Sequence, residues 1–415
     1  MVLSECKKEY LWHNFCASLV TNSETTKIRE TMRRQIVLTI SLLLALSVGA
    51  ANPQSKQYVN LQMDAPQTDS LVQAIFSAGE QTVAIPCSYE SVDQHGEPVT
   101  LSGKIYLPQN GHPKRIVLQA HYTILANSEC PSECDMPDIV LREKGYALVL
   151  PDYLGYGISR ERNHPYLHYE LTAQNTVDMY LAAKQFLERM DRKPENDSIV
   201  IVGFSQGAQT AIATLRLLEM NYPEVPVKQC FAGSGPYDVA RTYDVSISQN
   251  DAGIPFTIPM LIMGTSWAYD LNLNPALLMR KKTIERAEKY LFTKEHSATE
   301  VVLLNRIGAS KKVSKYMTKE GMDKTQPETQ RLYAGLLRSS IVHVGEHDTI
   351  LGEWTPRAPI FLLHSSQDRC VPIENSESLR LMLEKKGVKA EYDFGKYGDH
   401  ISSMVRFLDI LKKRL

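Results

Sequence analysis

The apolar run Ser198-Ile199-Val200-Ile201-Val202 leads straight into Gly203-Phe204-Ser205-Gln206-Gly207, and that pentapeptide runs on into Ala208-Gln209-Thr210-Ala211-Ile212-Ala213. An apolar strand, a sharp turn and a helix follow from this order of residues, and little else does. A serine at such a turn is held in a strained backbone conformation with its hydroxyl exposed beyond the end of a sheet. Glycines two before and two after are required because a Cβ there collides with the strand or the helix. The pattern G-x-S-x-G alone arises by chance in about one chain in ten of this length. Its setting between strand and helix is what makes Ser205 a candidate nucleophile.

A serine nucleophile needs a base, and the base needs an acid to orient it. On a strand-turn-helix scaffold of this kind the chain order is Ser, then Asp or Glu, then His. Pro359-Ile360-Phe361-Leu362-Leu363-His364 reads as a buried parallel strand whose end delivers Ser365-Ser366-Gln367-Asp368. Asp368 is the candidate acid. Ala390-Glu391-Tyr392-Asp393-Phe394 reads as one more strand, and the glycine-rich loop after it ends in Asp399-His400 before a helix expected from Ser402 to Lys413. His400 is the candidate base. In open α/β sheets reactive groups collect beyond the carboxyl ends of the strands, where all three residues fall.

Each position has a plainer reading: a turn serine, an aspartate capping a helix that begins near Pro372, and a surface-loop histidine. Asp399 is a poor rival to Asp368, because adjacent side chains in an extended loop point apart. His343-Val344-Gly345-Glu346-His347 matches H-x-x-E-H by letter. That zinc pattern needs a helix to bring both imidazoles to one face, and Gly345 works against one, so no metal site is expected.

Acyl chemistry also needs backbone N–H groups aimed at the oxygen that becomes negative, each worth about 3 kcal/mol of barrier. One should belong to Gln206, at the start of the helix after the nucleophile. The second should come from the loop after the third strand, where His121-Tyr122 follows Arg115–Ala120.

The chain resembles the α/β-hydrolase superfamily, and within it the secretory lipase family and related secreted bacterial esterases. Beyond the elbow, the resemblance rests on Pro151-Asp152-Tyr153-Leu154-Gly155-Tyr156-Gly157, His164-Pro165-Tyr166-Leu167, Thr176-Val177-Asp178-Met179 with Ala182-Ala183, and Gly235-Pro236-Tyr237. It spans the core from about Ile116 to His400, except the stretch from about Arg241 to Trp354. The resemblance implies a secreted carboxylic ester hydrolase that uses no cofactor, with Tyr153 and Tyr156 beside the substrate. Small-molecule, lipid or polymer-borne acyl esters are the substrates it implies. A serine peptidase on the same scaffold and a non-catalytic binding member are the alternatives.

Met32-Arg33-Arg34, the apolar run Ile36–Leu46 and Val48-Gly49-Ala50 read as the basic, apolar and small-residue parts of a signal peptide. Residues 1–31 are expected to be an over-extended start, with translation from Met32. Export would then follow cleavage near Ala50, to the periplasm, the cell surface or the medium. The apolar run is short for a membrane span, so the mature chain 51–415 is expected to have no stable one. No cysteine follows the cleavage region to carry a lipid. Lys and Arg number 46 against 47 Asp and Glu, a net charge of −1 that gives no electrostatic reason to bind nucleic acid. The mature cysteines are Cys87, Cys130, Cys134, Cys230 and Cys370, an odd number that leaves at least one thiol free, with Cys130 and Cys134 spaced for a small loop. Oligomeric state stays open.

The expected fold is α/β, a mostly parallel central sheet with helices on both faces. An antiparallel pair over Thr82–Leu107 opens it. Ile116–His121, Tyr146–Leu150, Ser198–Phe204, Val227–Ser234, Ile360–His364 and Glu391–Phe394 follow as strands, alternating with helices such as Ala173–Met190. Residues 241–353 break that alternation with Leu, Met, Lys and Glu at helical spacing. They read as a cap inserted after the sixth strand, over the catalytic face, with most of its Met and aromatic side chains as its own core.

Overall fold

A computed structural model of the chain describes residues 58–62, 81–135, 140–343 and 354–415. The signal-like segment 32–50 lies outside them, as do Val344–His347 of the H-x-x-E-H match.

Among the described residues, nine strands form one sheet in the order β1-β2-β3-β5-β4-β6-β7-β8-β9. A two-residue strand that sequence reading missed, β1 (Val59–Asn60), pairs parallel with Cys87 and Ser88 of β2 (Thr82–Val92). β2 and β3 (Pro98–Pro108) form the expected antiparallel pair, and β3 runs antiparallel to β5 (Ala147–Pro151). From there every pairing is parallel: β4 (Ile116–Ala120) between β5 and β6 (Ile199–Phe204), then β7 (Val227–Gly233), β8 (Ile360–Ser365) and β9 (Glu391–Gly395).

β4, β5, β6 and β8 are buried along their whole lengths, as strands covered on both faces must be. The period of two decides which residue faces which layer. Ile116, Leu118, Val149, Ile201, Ala232, Ile360 and Leu362 share a core with helices α1 (Tyr169–Arg189) and α2 (Gln206–Asn221), among them Phe186, Ala211 and Leu215. The alternate positions Val117, Leu148, Val200, Val202, Phe231 and Leu363 pack against Phe407, Ile410 and Leu411 near the C-terminus.

After β7 the chain leaves the sheet, and the described residues there form six α-helices: α3 (Val239–Gln249), α4 (Thr257–Ala268), α5 (Pro275–Leu278), α6 (Lys281–Tyr290), α7 (Ala298–Leu303) and α8 (Pro327–Ser339). They gather a separate apolar cluster around Tyr243, Ile262, Leu278, Leu291, Tyr316 and Leu332, joined only by Leu125, Tyr166 and Leu167 from the loops of the sheet. Within the stretch expected as an insertion over 241–353, the described helices begin at Val239 and end at Ser339, and residues 344–353 lie outside the described residues. α9 (Glu374–Lys385) and α10 (His400–Arg414) complete the chain. No helix among the described residues is long and apolar enough to cross a membrane.

Candidate active site

Ser205 sits where β6 turns into α2, at φ 56° and ψ −123°, a conformation a β-carbon disfavours. Its N–H donates to Gly233 O of β7 at 2.8 Å, which ties the turn to the neighbouring strand. A Cβ on Gly203 would stand 1.9 Å from Gly207 O, and one on Gly207 would stand 2.0 Å from Ala120 O at the end of β4. Both spacings lie far inside van der Waals contact, so the two glycines are what lets the turn close.

His400 is the first residue of α10, two positions earlier than the sequence suggested, because Asp399 is the N-cap and accepts from Ser402 N at 2.9 Å. The loop before it is fixed by Ser365, whose Oγ donates to Gly398 O at 2.6 Å and accepts from Tyr397 N at 3.1 Å. Asp368 follows β8. Its Oδ1 accepts from Cys370 N at 2.9 Å and Val371 N at 3.0 Å, holding the carboxyl within its own turn rather than at the start of α9, whose N-cap is Ile373.

These three elements bring the predicted residues together. His400 Nε2 lies 2.9 Å from Ser205 Oγ, and His400 Nδ1 lies 2.6 Å from Asp368 Oδ2. All are buried, with Ser205 8%, His400 7% and Asp368 4% exposed. Burial pushes the Asp368 carboxyl up, but the imidazoles of His400 and His364 beside it overcome this and hold it well below the usual carboxylate range. An ionised carboxylate, an imidazole and a serine hydroxyl in one hydrogen-bonded row can strip the hydroxyl of its proton and hold the cation that results.

The other side of the serine faces α2 and the loops after β4 and β5. Gln206 is the first residue of α2, so its N–H has no acceptor within the helix. Its side-chain Nε2 donates to His164 Nε2 at 2.9 Å, while His164 Nδ1 lies 2.7 Å from Leu154 O. Burial pushes His164 down to about 3, so the ring is neutral: Nδ1–H donates to the carbonyl and Nε2 receives the amide. Ala120 O and His121 O abut the position of Gly207, which sets the loop carrying Tyr122 against the start of α2.

The His121 ring itself is a brace. It is 1% exposed, stacks on Tyr153 at 4.0 Å, and reaches Tyr122 O at 2.6 Å and Asp152 O at 3.2 Å. Burial pushes it down to about 4, and a neutral ring donates through one nitrogen, here the closer Nδ1. The tyrosines proposed beside substrate are packed away too. Tyr153 and Tyr156 are 0% and 2% exposed, and their hydroxyls donate to His121 O at 3.4 Å and Ile124 O at 2.7 Å. In the structure both rings brace the loops, an aromatic ring with a polar tip being as useful inside a loop as at a pocket wall. Asp152, buried with its carboxyl raised by burial, accepts from Ser102 Oγ at 2.6 Å and Ser132 N at 2.9 Å and ties those loops to β3.

His343 Nδ1 meets Asp238 Oδ1 at 2.8 Å, and no cluster suited to a metal ion occurs among the described residues. Cys87, Cys130, Cys134, Cys230 and Cys370 are free thiols in the structure. Sequence reading passed over His164 and His364; the signal available for each was a histidine inside or at the end of an apolar block.

A family model described as secretory lipase matches residues 135–407. Among solved structures, the rice cell wall degrading esterase LipA from Xanthomonas oryzae is 22% identical with a TM-score of 0.67, the match covering 83% of this chain and 92% of that one. A putative hydrolase from Legionella pneumophila is 20% identical at TM-score 0.66, covering 80% and 88%. Candida antarctica lipase A in its closed state is 15% identical at TM-score 0.56, covering 80% and 79%. No curated protein matches the chain by sequence. The solved structures share its α/β-hydrolase fold, and the family match across most of the chain makes this protein a member of the secretory lipase family, and so a carboxylic ester hydrolase.

Proposed function

We propose that the protein is an exported serine esterase or lipase working through a Ser205–His400–Asp368 triad and an acyl-enzyme. The row of hydrogen bonds from Ser205 Oγ through His400 to Asp368 carries this reading. Ser205 Oγ attacks the ester carbonyl as His400 Nε2 takes its proton, and Asp368 keeps the other imidazole nitrogen protonated and balances the cation. The Gln206 N–H, with one from the loop at Tyr122, receives the negative oxygen. His400 then passes its proton to the leaving alcohol. Water, deprotonated by the same imidazole, hydrolyses the acyl-enzyme and frees the acid.

The helical insertion is the roof of this site and the part that selects the acyl group. Two attachments support this: Tyr166, on the loop after β5, fits against Gly264 of α4, and Gln209 of α2 donates to Ser339 O at the end of α8, 2.8 Å away. Export rests on the signal-like segment 32–50 and on the secretory family. N-terminal sequencing of secreted protein should then begin near Ala51 or Asn52.

A panel of p-nitrophenyl esters from acetate to palmitate, run beside aminoacyl p-nitroanilides, tests the reaction class. Ester turnover with a clear optimum in chain length and negligible anilide cleavage is expected. Anilide cleavage with no ester turnover would move the protein to the peptidases.

A further inference from the structure

His364 ends β8 with its side chain wholly buried. Its Nδ1 lies 2.6 Å from Ser376 Oγ on α9, and its Nε2 lies 2.9 Å from Val371 O and 3.6 Å from Asp368 Oδ2. A carbonyl and a carboxylate can only accept, so the ring proton sits on Nε2, and Nδ1 receives the Ser376 hydroxyl. Val371 in turn donates its N–H to Asp368 Oδ1 at 3.0 Å. His364, Val371 and Asp368 close a ring that Ser376 steadies from outside: Ser376 orients His364, His364 pins the Val371 carbonyl, Val371 holds one carboxylate oxygen, and the other stands between two imidazoles, His400 at 2.6 Å and His364 at 3.6 Å.

We propose that His364 is a positioning residue for the reaction, setting the turn Asp368–Val371 and facing its Nε2–H toward the carboxylate oxygen that serves His400. The inference rests on the triad reading above. The N–H edge of the ring, 3.6 Å from Oδ2 and so beyond hydrogen-bond distance, still presents its positive end to that oxygen and makes it a slightly weaker base. When His400 takes the Ser205 proton, the proton on Nδ1 then stays on the imidazole, and the charges remain separated as the mechanism requires. The same bond network fixes the aspartate's direction, and a displacement of about 1 Å in such a group costs about 10²-fold in rate. His364 touches no substrate, so substrate affinity should not depend on it.

The test compares two amides of different reach. Glutamine at 364 places its N–H near the Nε2 position, facing Val371 O and Asp368 Oδ2, whereas asparagine reaches only the Nδ1 position facing Ser376. His364→Gln, His364→Asn and Asp368→Asn are made in the full chain. For each, the second-order rate of fluorophosphonate labelling, kcat and KM on a short ester, and the melting temperature are measured. His364→Asn should label and turn over about 10²-fold more slowly with KM unchanged, and His364→Gln should recover most of that loss. Equal rates in the two amides, or rates that track melting temperature instead of reach, would overturn the proposal. Asp368→Asn separates this from the underlying reading: if that variant labels like the wild type, the triad assignment itself fails.

Discussion

In the sheet, Ser205 and Asp368 each leave a strand whose every residue is buried, and both strands are held on two sides by neighbours. The helices of 239–339 pack mainly on one another, and they meet the sheet loops both through the apolar side chains Leu125, Tyr166 and Leu167 and through polar bonds. Glu129 accepts from Leu125 N, Ala126 N and, at the head of α7, Ala298 N, each at 3.0 Å. Lys294 Nζ donates to Arg160 O at 2.7 Å and to Arg162 O. Strand registers hold side chains in a fixed geometry, which chemistry needs; on the proposed function, the lobe with its own core is the part that selects the acyl group. The two regions should therefore answer mutation differently.

The largest expected effect is Ser205→Ala, which should cut ester turnover by about 10⁴-fold or more and leave the melting temperature nearly unchanged, because the side chain does chemistry and little packing. Retention of a tenth of the activity would remove the serine from its role. Asp368→Asn should come close behind, about 10⁴-fold down through loss of the correct imidazole tautomer, with relative rates on short and long acyl esters untouched. A changed chain-length profile in that variant would blur the division between sheet and insertion.

Glu129→Gln should sharpen it from the other side. Substituting a neutral amide for the buried carboxylate weakens three charge-assisted bonds and costs about 1–3 kcal/mol at the seam. Faster proteolysis within 241–353 and a shifted acyl preference are expected, with labelling of Ser205 by a small phosphonate changed by less than about threefold. A profile that stays fixed while the insertion loosens would place specificity in the loops after β4 and β5 instead.

Acid stability should respond as well. His121 and His168 are pushed down to about 4 by burial and His164 to about 3, so the folded chain binds fewer protons here than the unfolded one. Their contribution to stability is fully present above about pH 6.5, where the unfolded imidazoles are neutral, and is lost progressively as pH falls toward their folded values. The Asp368 carboxyl, held low, adds a loss of the same sign further down, while Asp152 and Glu129, both raised by burial, oppose it. Melting temperature should fall between pH 6.5 and 4, and more steeply in Glu129→Gln, which lacks one opposing carboxyl; a flat profile in both proteins would mean the three rings carry protons in the fold.

The serine turn was legible because G-x-S-x-G between strand and helix is a local steric demand, met here by Gly203 and Gly207. Asp368 and His400 were legible from strand ends and chain order. The packing of Tyr153 and Tyr156 was not legible, because a motif names residues without saying which way they face: Tyr153 has a positive φ and its ring lies on His121. β1 has two residues and no periodicity to read. Glu129, His164 and His364 each have a partner from 10 to 169 positions away as well as nearer ones, and a histidine or glutamate beside an apolar block does not say which distant segment it will meet.

The proposed role of Ser205 as nucleophile is tested most directly by inactivating the protein with a fluorophosphonate and mapping the adduct by peptide mass spectrometry. One phosphonyl group on Ser205, formed in step with the loss of ester turnover and absent from Ser205→Ala, is the predicted result. An adduct on any other residue, or full turnover by a protein modified at Ser205, would contradict it.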